Sequence, residues 1–312
     1  MQMRPKQCRV FLAALSLATI AIPQARAGFM LGDAANFVVL YEGNGNNQLG
    51  TTNVTINGNI GIGDPSGVTT AYLAASGGTP AAINGNVLYA GAVSPKNSIQ
   101  NTTFTGTVSG GNGNVQTDLN YLNGLSTTLG GEVGAALTVN LNNNQSQTID
   151  ASSGMLDGNG NRVFSVSSFN FGNGATLTIN GDGAGDSVVL NFSSNAQFGG
   201  NIVLNGITSD QVLFNITGGA SLTGGNTLQD NTNGANLTGT FLDPNGAVSV
   251  VHTVLTGRIF GGDTSNMQIV SGDTVTAPTG LPEPSSAASF FSLLGGLGAV
   301  LLLRKLRTSC VR

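Results

Sequence analysis

The body of this 312-residue chain has no cysteine: Cys8 and Cys310 fall close to the two ends. A body without them can draw no stability from disulfides and offers no thiolate as nucleophile or metal ligand. Tryptophan is absent, aromatic residues make up 6%, and the single histidine is His252. One imidazole and no thiol exclude the usual transition-metal sites and nucleophile–imidazole pairs, so neither a metal nor a cofactor is expected. Charge is scarcer still: 8% of residues are charged, against roughly a quarter in an ordinary globular domain. Helical and doubly wound enzyme folds are disfavoured on that ground, whereas 40% apolar residues exclude a wholly disordered chain.

The few charges are unevenly placed. Arg4, Lys6, Arg9 and Arg26 lie in the first 27 positions, and Arg304, Lys305, Arg307 and Arg312 at the other end. Between Gly28 and Leu281 only Lys96, Arg162 and Arg258 stand against fourteen acidic residues, a net charge of −11. An acidic body without clustered Lys or Arg excludes nucleic acid as a partner. The start of the chain combines a basic segment, an apolar run from Val10 to Ile22 and the small-x-small site Ala25-Arg26-Ala27. This pattern predicts a signal peptide over residues 1–27, cut after Ala27.

The other end reads Pro282-Glu283-Pro284-Ser285-Ser286, an apolar stretch to Leu303, then Arg304-Lys305-Leu306-Arg307. About 17 residues at 1.5 Å rise reach on the order of 26 Å, enough for a transmembrane helix over about 286–303 with its basic end held in the cytoplasm. The tripeptide, the Gly-containing apolar segment and the basic end (Pro282, Glu283, Pro284, Arg304, Lys305, Arg307) together resemble the PEP-CTERM sorting signal. That resemblance implies an exosortase-type processing enzyme as partner, a transient inner-membrane anchor, and delivery to the cell surface or extracellular matrix. The expected organisation is a signal peptide (1–27), a β domain (28–280) and a sorting signal (281–312).

Within the body, short alternating segments such as Val54-Thr-Ile56, Leu177-Thr-Ile179, Val188-Val-Leu190-Asn-Phe192 and Val212-Leu-Phe214-Asn-Ile216 read as half-buried strands. Ile56-Asn-Gly-Asn-Ile60 returns as Ile83-Asn-Gly-Asn-Val87, and Leu237-Thr-Gly239 as Leu255-Thr-Gly257. Repeats of this kind fit the corners of a β-solenoid with stacked Asn between coils, but Asn-Gly is also the preferred hairpin loop, which leaves a sandwich open. One segment departs from the β pattern. Val115, Leu119, Leu122, Leu125 and Leu129 recur at helical spacing before Gly130-Gly131, which predicts a helix over about 115–130 with Asp118 in its first turn. Gly124 weakens that prediction.

The order of these elements resembles the ice-binding-like β-solenoid family and its relative, the choice-of-anchor A domain. The resemblance is carried by Asn36-Phe-Val-Val-Leu40, Asn57-Gly-Asn-Ile-Gly61, the helix with Leu129-Gly-Gly131, and Gly239-Thr-Phe-Leu-Asp-Pro244 followed by Leu255-Thr-Gly-Arg-Ile-Phe-Gly261. It covers roughly residues 34–276 and implies a mainly β fold, an irregular right-handed β-helix with one long helix packed alongside.

Chemistry-bearing candidates are sparse. His252 sits in the β-branched run Val250–Val254 and reads as a packed or edge-strand residue rather than a general base. Asp157-Gly-Asn159-Gly-Asn161 imitates the start of a calcium loop, but Arg162 stands where Gly is needed; Asp182 and Asp186 resemble one degraded calcium repeat. No catalytic residue is assigned. The leading expectation is a non-enzymatic surface or matrix protein that binds polysaccharide or neighbouring cells. Ice binding and a carbohydrate-active solenoid enzyme are the alternatives. The candidate binding face is Thr55, Asn57, Thr103, Thr105 and Thr107, although these polar positions do not recur at a steady coil period in the sequence.

Overall fold

The computed structural model describes residues 28–278 except 44–46, 65–66, 68–70, 78, 184, 186, 218–226, 230–234 and 263–265. The predicted signal peptide with Ala25 and Ala27, and the whole predicted sorting signal with its apolar segment, lie outside the described residues. Among the described residues no helix is long and apolar enough to cross a membrane.

Alternating strands wrap around one core in three-sided coils, and the pairing is parallel throughout, except where Met155–Leu156 runs antiparallel to Arg162–Val163. This parallel pairing removes the sandwich and hairpin alternatives, because hairpin-linked strands are antiparallel. The chain does not wind from one end to the other. Phe37–Tyr41 lies mid-body, paired on one side with Asn59–Ile62 and on the other with Thr253–Gly261. Coils then run out to Val108–Ser109, the helix Gly113–Gly130 crosses back, and winding resumes at Ala135–Leu141. The return ends at Asp273–Thr276, which slots between Val54–Asn57 and Thr253–Gly261.

The corner that leads out of the Asn-Gly and Thr-Gly phrases explains them. Adjacent coils lie ≈4.8 Å apart, and a Cβ on Gly85 would stand 2.2 Å from the Gly58 carbonyl oxygen, one on Gly257 1.8 Å from that of Gly239. Glycine is required there because neighbouring backbones fill the space. At the opposite corner, ahead of strands of one face, Asn53, Asn101, Asn144, His252 and Ser271 all adopt positive φ. His252 is therefore an exposed left-handed corner residue, a place where Asn and His are tolerated better than β-branched residues, and not the packed or edge-strand residue expected.

The helix lies along one face of the coils and buries Val115, Leu119, Leu122 and Leu129 against Leu40, Val189, Leu213, Leu242 and Phe260. It begins at Gly113, so Asp118 sits in the second turn and on the buried side, not in the first turn as expected. Burial, and secondarily Asp33, push its carboxyl up to about 6. Four buried hydrogen bonds fix the C-terminal half. Ser126 Oγ donates to Asn215 Oδ1 (2.6 Å), Asn215 Nδ2 to Ser126 O (3.0 Å) and to Asn191 Oδ1 (2.8 Å), and Asn191 Nδ2 to Leu129 O (2.7 Å). Asn215→Ala orphans several of these groups at once and is expected to lower stability by about 3 kcal/mol, read by denaturant titration. Gly124 is exposed on the same helix and a Cβ there meets nothing within 4 Å. Gly124→Ala is expected to stabilise by about 0.5–1 kcal/mol through helix propensity alone.

Candidate binding face

With one face covered by the helix, a second carries no covering helix among the described residues. It is built from Thr102–Phe104, Ala81–Ile83, Val54–Asn57, Asp273–Thr276 and the first halves of Thr253–Gly261 and Ala235–Asp243. Asn201–Asn205, Thr176–Asn180 and Ser146–Asp150 continue it; Asn201 Oδ1 accepts the Asn236 N–H (3.0 Å) across the join. Apolar residues at alternate positions (Ile56, Val275, Leu255, Leu237) are fully buried, which turns the intervening side chains outward in two files.

Register fixes what stands in each file. Thr103, Ala82, Thr55, Thr274, Val254 and Asn236 succeed one another along the axis. Beside them, nearest the glycine corner, run Asn57, Thr276, Thr256 and Thr238, with Asn84 and Thr105 extending the file beyond Asn57. Asn84 Nδ2 donates to Asn57 Oδ1 (2.8 Å), and Asn57 Nδ2 to Thr276 Oγ1 (3.0 Å). Farther along, Asn205 Nδ2 donates to Asn180 Oδ1 (3.1 Å) and Asn180 Nδ2 to Asp150 Oδ1 (2.8 Å). These ladders lock the amides in one orientation and leave threonine hydroxyls and methyls, with the half-exposed Val254 and Val203, as the contact surface. Apart from Asp150 at the far end, the outward positions carry no charge and no aromatic ring.

Of the five expected residues, Thr55, Asn57, Thr103 and Thr105 fall on this face. Thr107 turns the corner, where its Oγ1 donates to Asn86 Oδ1 (3.2 Å). Thr274, Thr276, Thr256 and Thr238 were missed. Their signal was Asp273-Thr-Val-Thr276, which repeats the pattern of Val54-Thr-Ile-Asn57, but only the fold places two segments 219 residues apart on neighbouring rungs. Register sets these positions on neighbouring rungs although the coils between them differ in length, 27 residues from Asn57 to Asn84 and 18 from Thr238 to Thr256.

Asp186 lies outside the described residues, and the other candidates are occupied by structure. Asp157 Oδ1 accepts the Asn159 and Asn161 N–H groups, and Oδ2 accepts from Asn161 Nδ2 (2.6 Å), so its carboxylate closes a turn. Asp182 pairs with Arg162 at 3.0 Å. Arg258, nearly buried, pairs with Asp210 and donates to Ala35 O; it fastens the N-terminal turn and is not presented to a substrate. Among the described residues no cluster of His, Cys, Asp or Glu is disposed to hold a metal ion.

Solved structures of the same fold include an ice-binding protein from the Antarctic ascomycete Antarctomyces psychrotrophicus (16% identity, 80% of this chain and 98% of that one, TM-score 0.53). Similar too are an ice-binding protein from an Antarctic biological consortium (14%, 80% and 91%, 0.54) and an ice-binding protein domain of Shewanella frigidimarina (17%, 81% and 98%, 0.52). No curated protein matches the chain. The parallel coils, the helix laid along one face and the match over residues 31–271 agree: the chain belongs to the family of the ice-binding-like adhesive domain.

Proposed function

We propose that this protein is an exported, non-enzymatic surface domain that binds ice through its flat face. The observation that carries the reading is the in-register double file of Thr55, Thr274, Thr276, Thr256 and Thr238 with its locked Asn ladder. Rungs ≈4.8 Å apart and outward residues ≈6.7 Å apart along each strand form a rigid two-dimensional grid. Such a grid can hold a layer of water in fixed positions, methyl groups filling the gaps between hydroxyl-bound molecules. The ice-binding proteins of the same fold add to the reading, although fold alone confers no activity. Purified exported protein should inhibit ice recrystallisation and partition into a growing ice front; failure of both would sink the proposal.

A second reading is adhesion to extracellular polysaccharide or to a neighbouring cell, and the sorting signals favour it. Pro282, Glu283 and Pro284 with Arg304, Lys305 and Arg307 would commit the chain to an exosortase-type enzyme and to the cell surface or matrix after removal of residues 1–27. The exposed face lacks the aromatic platform that sugar rings stack on, which is why ice stands first. Co-sedimentation with the cell's own polysaccharide, with no effect on ice, would reverse that order.

A further inference from the structure

Both ends of the solenoid finish in strands whose outer edges pair with no other strand among the described residues, although Gln147 Nε2 donates to Thr138 O (3.0 Å) across the second end. One end closes with Ser98–Ile99, Thr102–Phe104 and Val108–Ser109, the other with Ala135–Leu141 and Ser146–Asp150. We propose that each end takes a second copy of this chain, head to tail, with Thr102–Phe104 of one copy pairing in parallel with Ser146–Asp150 of the next.

The free backbone groups match in one register. Ala81 N donates to Asn101 O and Thr105 N to Ile83 O, so alternate residues Thr102 and Phe104 aim their N–H and C=O groups at the open end. At the other end Gln145 O accepts from Thr176 N, which leaves Ser146, Thr148 and Asp150 aimed outward. In a parallel ladder a residue bonds the two neighbours of the residue opposite it. Phe104 therefore lies opposite Ile149 and Thr102 opposite Gln147. Side-chain direction agrees: Phe104 and Ile149 both face the core side, while Thr103 and Thr148 are both exposed. A shift of two residues would set Phe104 on Gln147.

Polarity selects the same partner. With parallel pairing along the whole body, the two edges are unlike surfaces, so the contact is heterologous and repeats instead of closing into a symmetric dimer. Docking would continue the flat face from Thr103 of one copy to Thr148 of the next.

Sedimentation velocity of the exported protein, from low micromolar to near-millimolar concentration, tests this independently of what the face binds. Dimers and longer species should grow with concentration. Thr102→Lys or Gln147→Lys should each weaken self-association at least about tenfold, and the double variant Thr102→Lys/Gln147→Glu should restore it. A mixture of the two single lysine variants, each with one intact edge, should stop at dimers. Thr148→Pro loses only an outward N–H and serves if a lysine variant fails to fold. A protein monomeric at every concentration, or a dimer that survives both single lysine variants, overturns the proposal.

Discussion

Thr256→Tyr combined with Thr276→Tyr is expected to abolish ice recrystallisation inhibition while leaving the unfolding midpoint nearly unchanged. The two threonines stand side by side on adjacent rungs, with Thr238 beyond one and Asn57 beyond the other. They occupy the middle of the longer run of rungs, where a flat crystal plane must touch every rung at once. A phenol ring at either position rises several Å above a surface otherwise formed by Thr, Asn and Val, and lifts the neighbouring hydroxyls out of contact. Both positions are partly exposed and outside the core, so the stability change should stay within about 0.5 kcal/mol. Thr117→Tyr on the exposed side of the helix is the control and should retain full inhibition. Wild-type inhibition by the double variant would exclude this face as the ice-binding surface.

Much of the fold was open to view in the sequence, and the arrangement of the face was hidden for a physical reason. Strand character followed from period-2 burial, as in Leu177-Thr-Ile179, whose apolar pair is wholly buried. The helix followed from the spacing of Val115, Leu119 and Leu122, all of which reach the core. The repeated Asn-Gly and Thr-Gly phrases pointed to stacked corners because steric crowding at a 4.8 Å coil separation acts on each glycine locally. The face itself is different. Thr55 and Thr274 become neighbours only because the helix carries the chain back over coils already laid down and the last strand fills a slot left beside Val54–Asn57. Periodicity measured along a chain cannot register an order created by that return. The same limitation misassigned His252: Val250–Val254 reads as one β-branched run, but the coil bends within it, and His252 is the bend.

Asp243→Asn is expected to stabilise the protein, by an amount that grows with pH. Asp243 ends the strand Ala235–Asp243 with 1% of its surface exposed, and neither carboxyl oxygen has a well-formed hydrogen bond. Burial pushes its pKa up to about 8, with the Gly246 N–H a small counterweight. The folded protein therefore keeps this carboxyl protonated at neutral pH, whereas the unfolded chain releases the proton near 3.8. Below about pH 4 both states hold the proton and the residue costs nothing. Between about 4 and 8 the unfolded state alone ionises, so stability falls as pH rises, and above about 8 the loss levels off. At 1.36 kcal/mol per unit the fall approaches about 4 kcal/mol by pH 7. Asn keeps the shape of the neutral carboxyl and cannot ionise. Variant and wild type should thus unfold at similar denaturant concentrations at pH 4 and diverge steadily to pH 8. The same sign applies to Asp118 over the narrower range up to about 6, so a decline should persist in Asp243→Asn below that pH and vanish above it. A constant offset at all pH values would mean that the variant changes packing alone, and that burial does not hold the proton on Asp243.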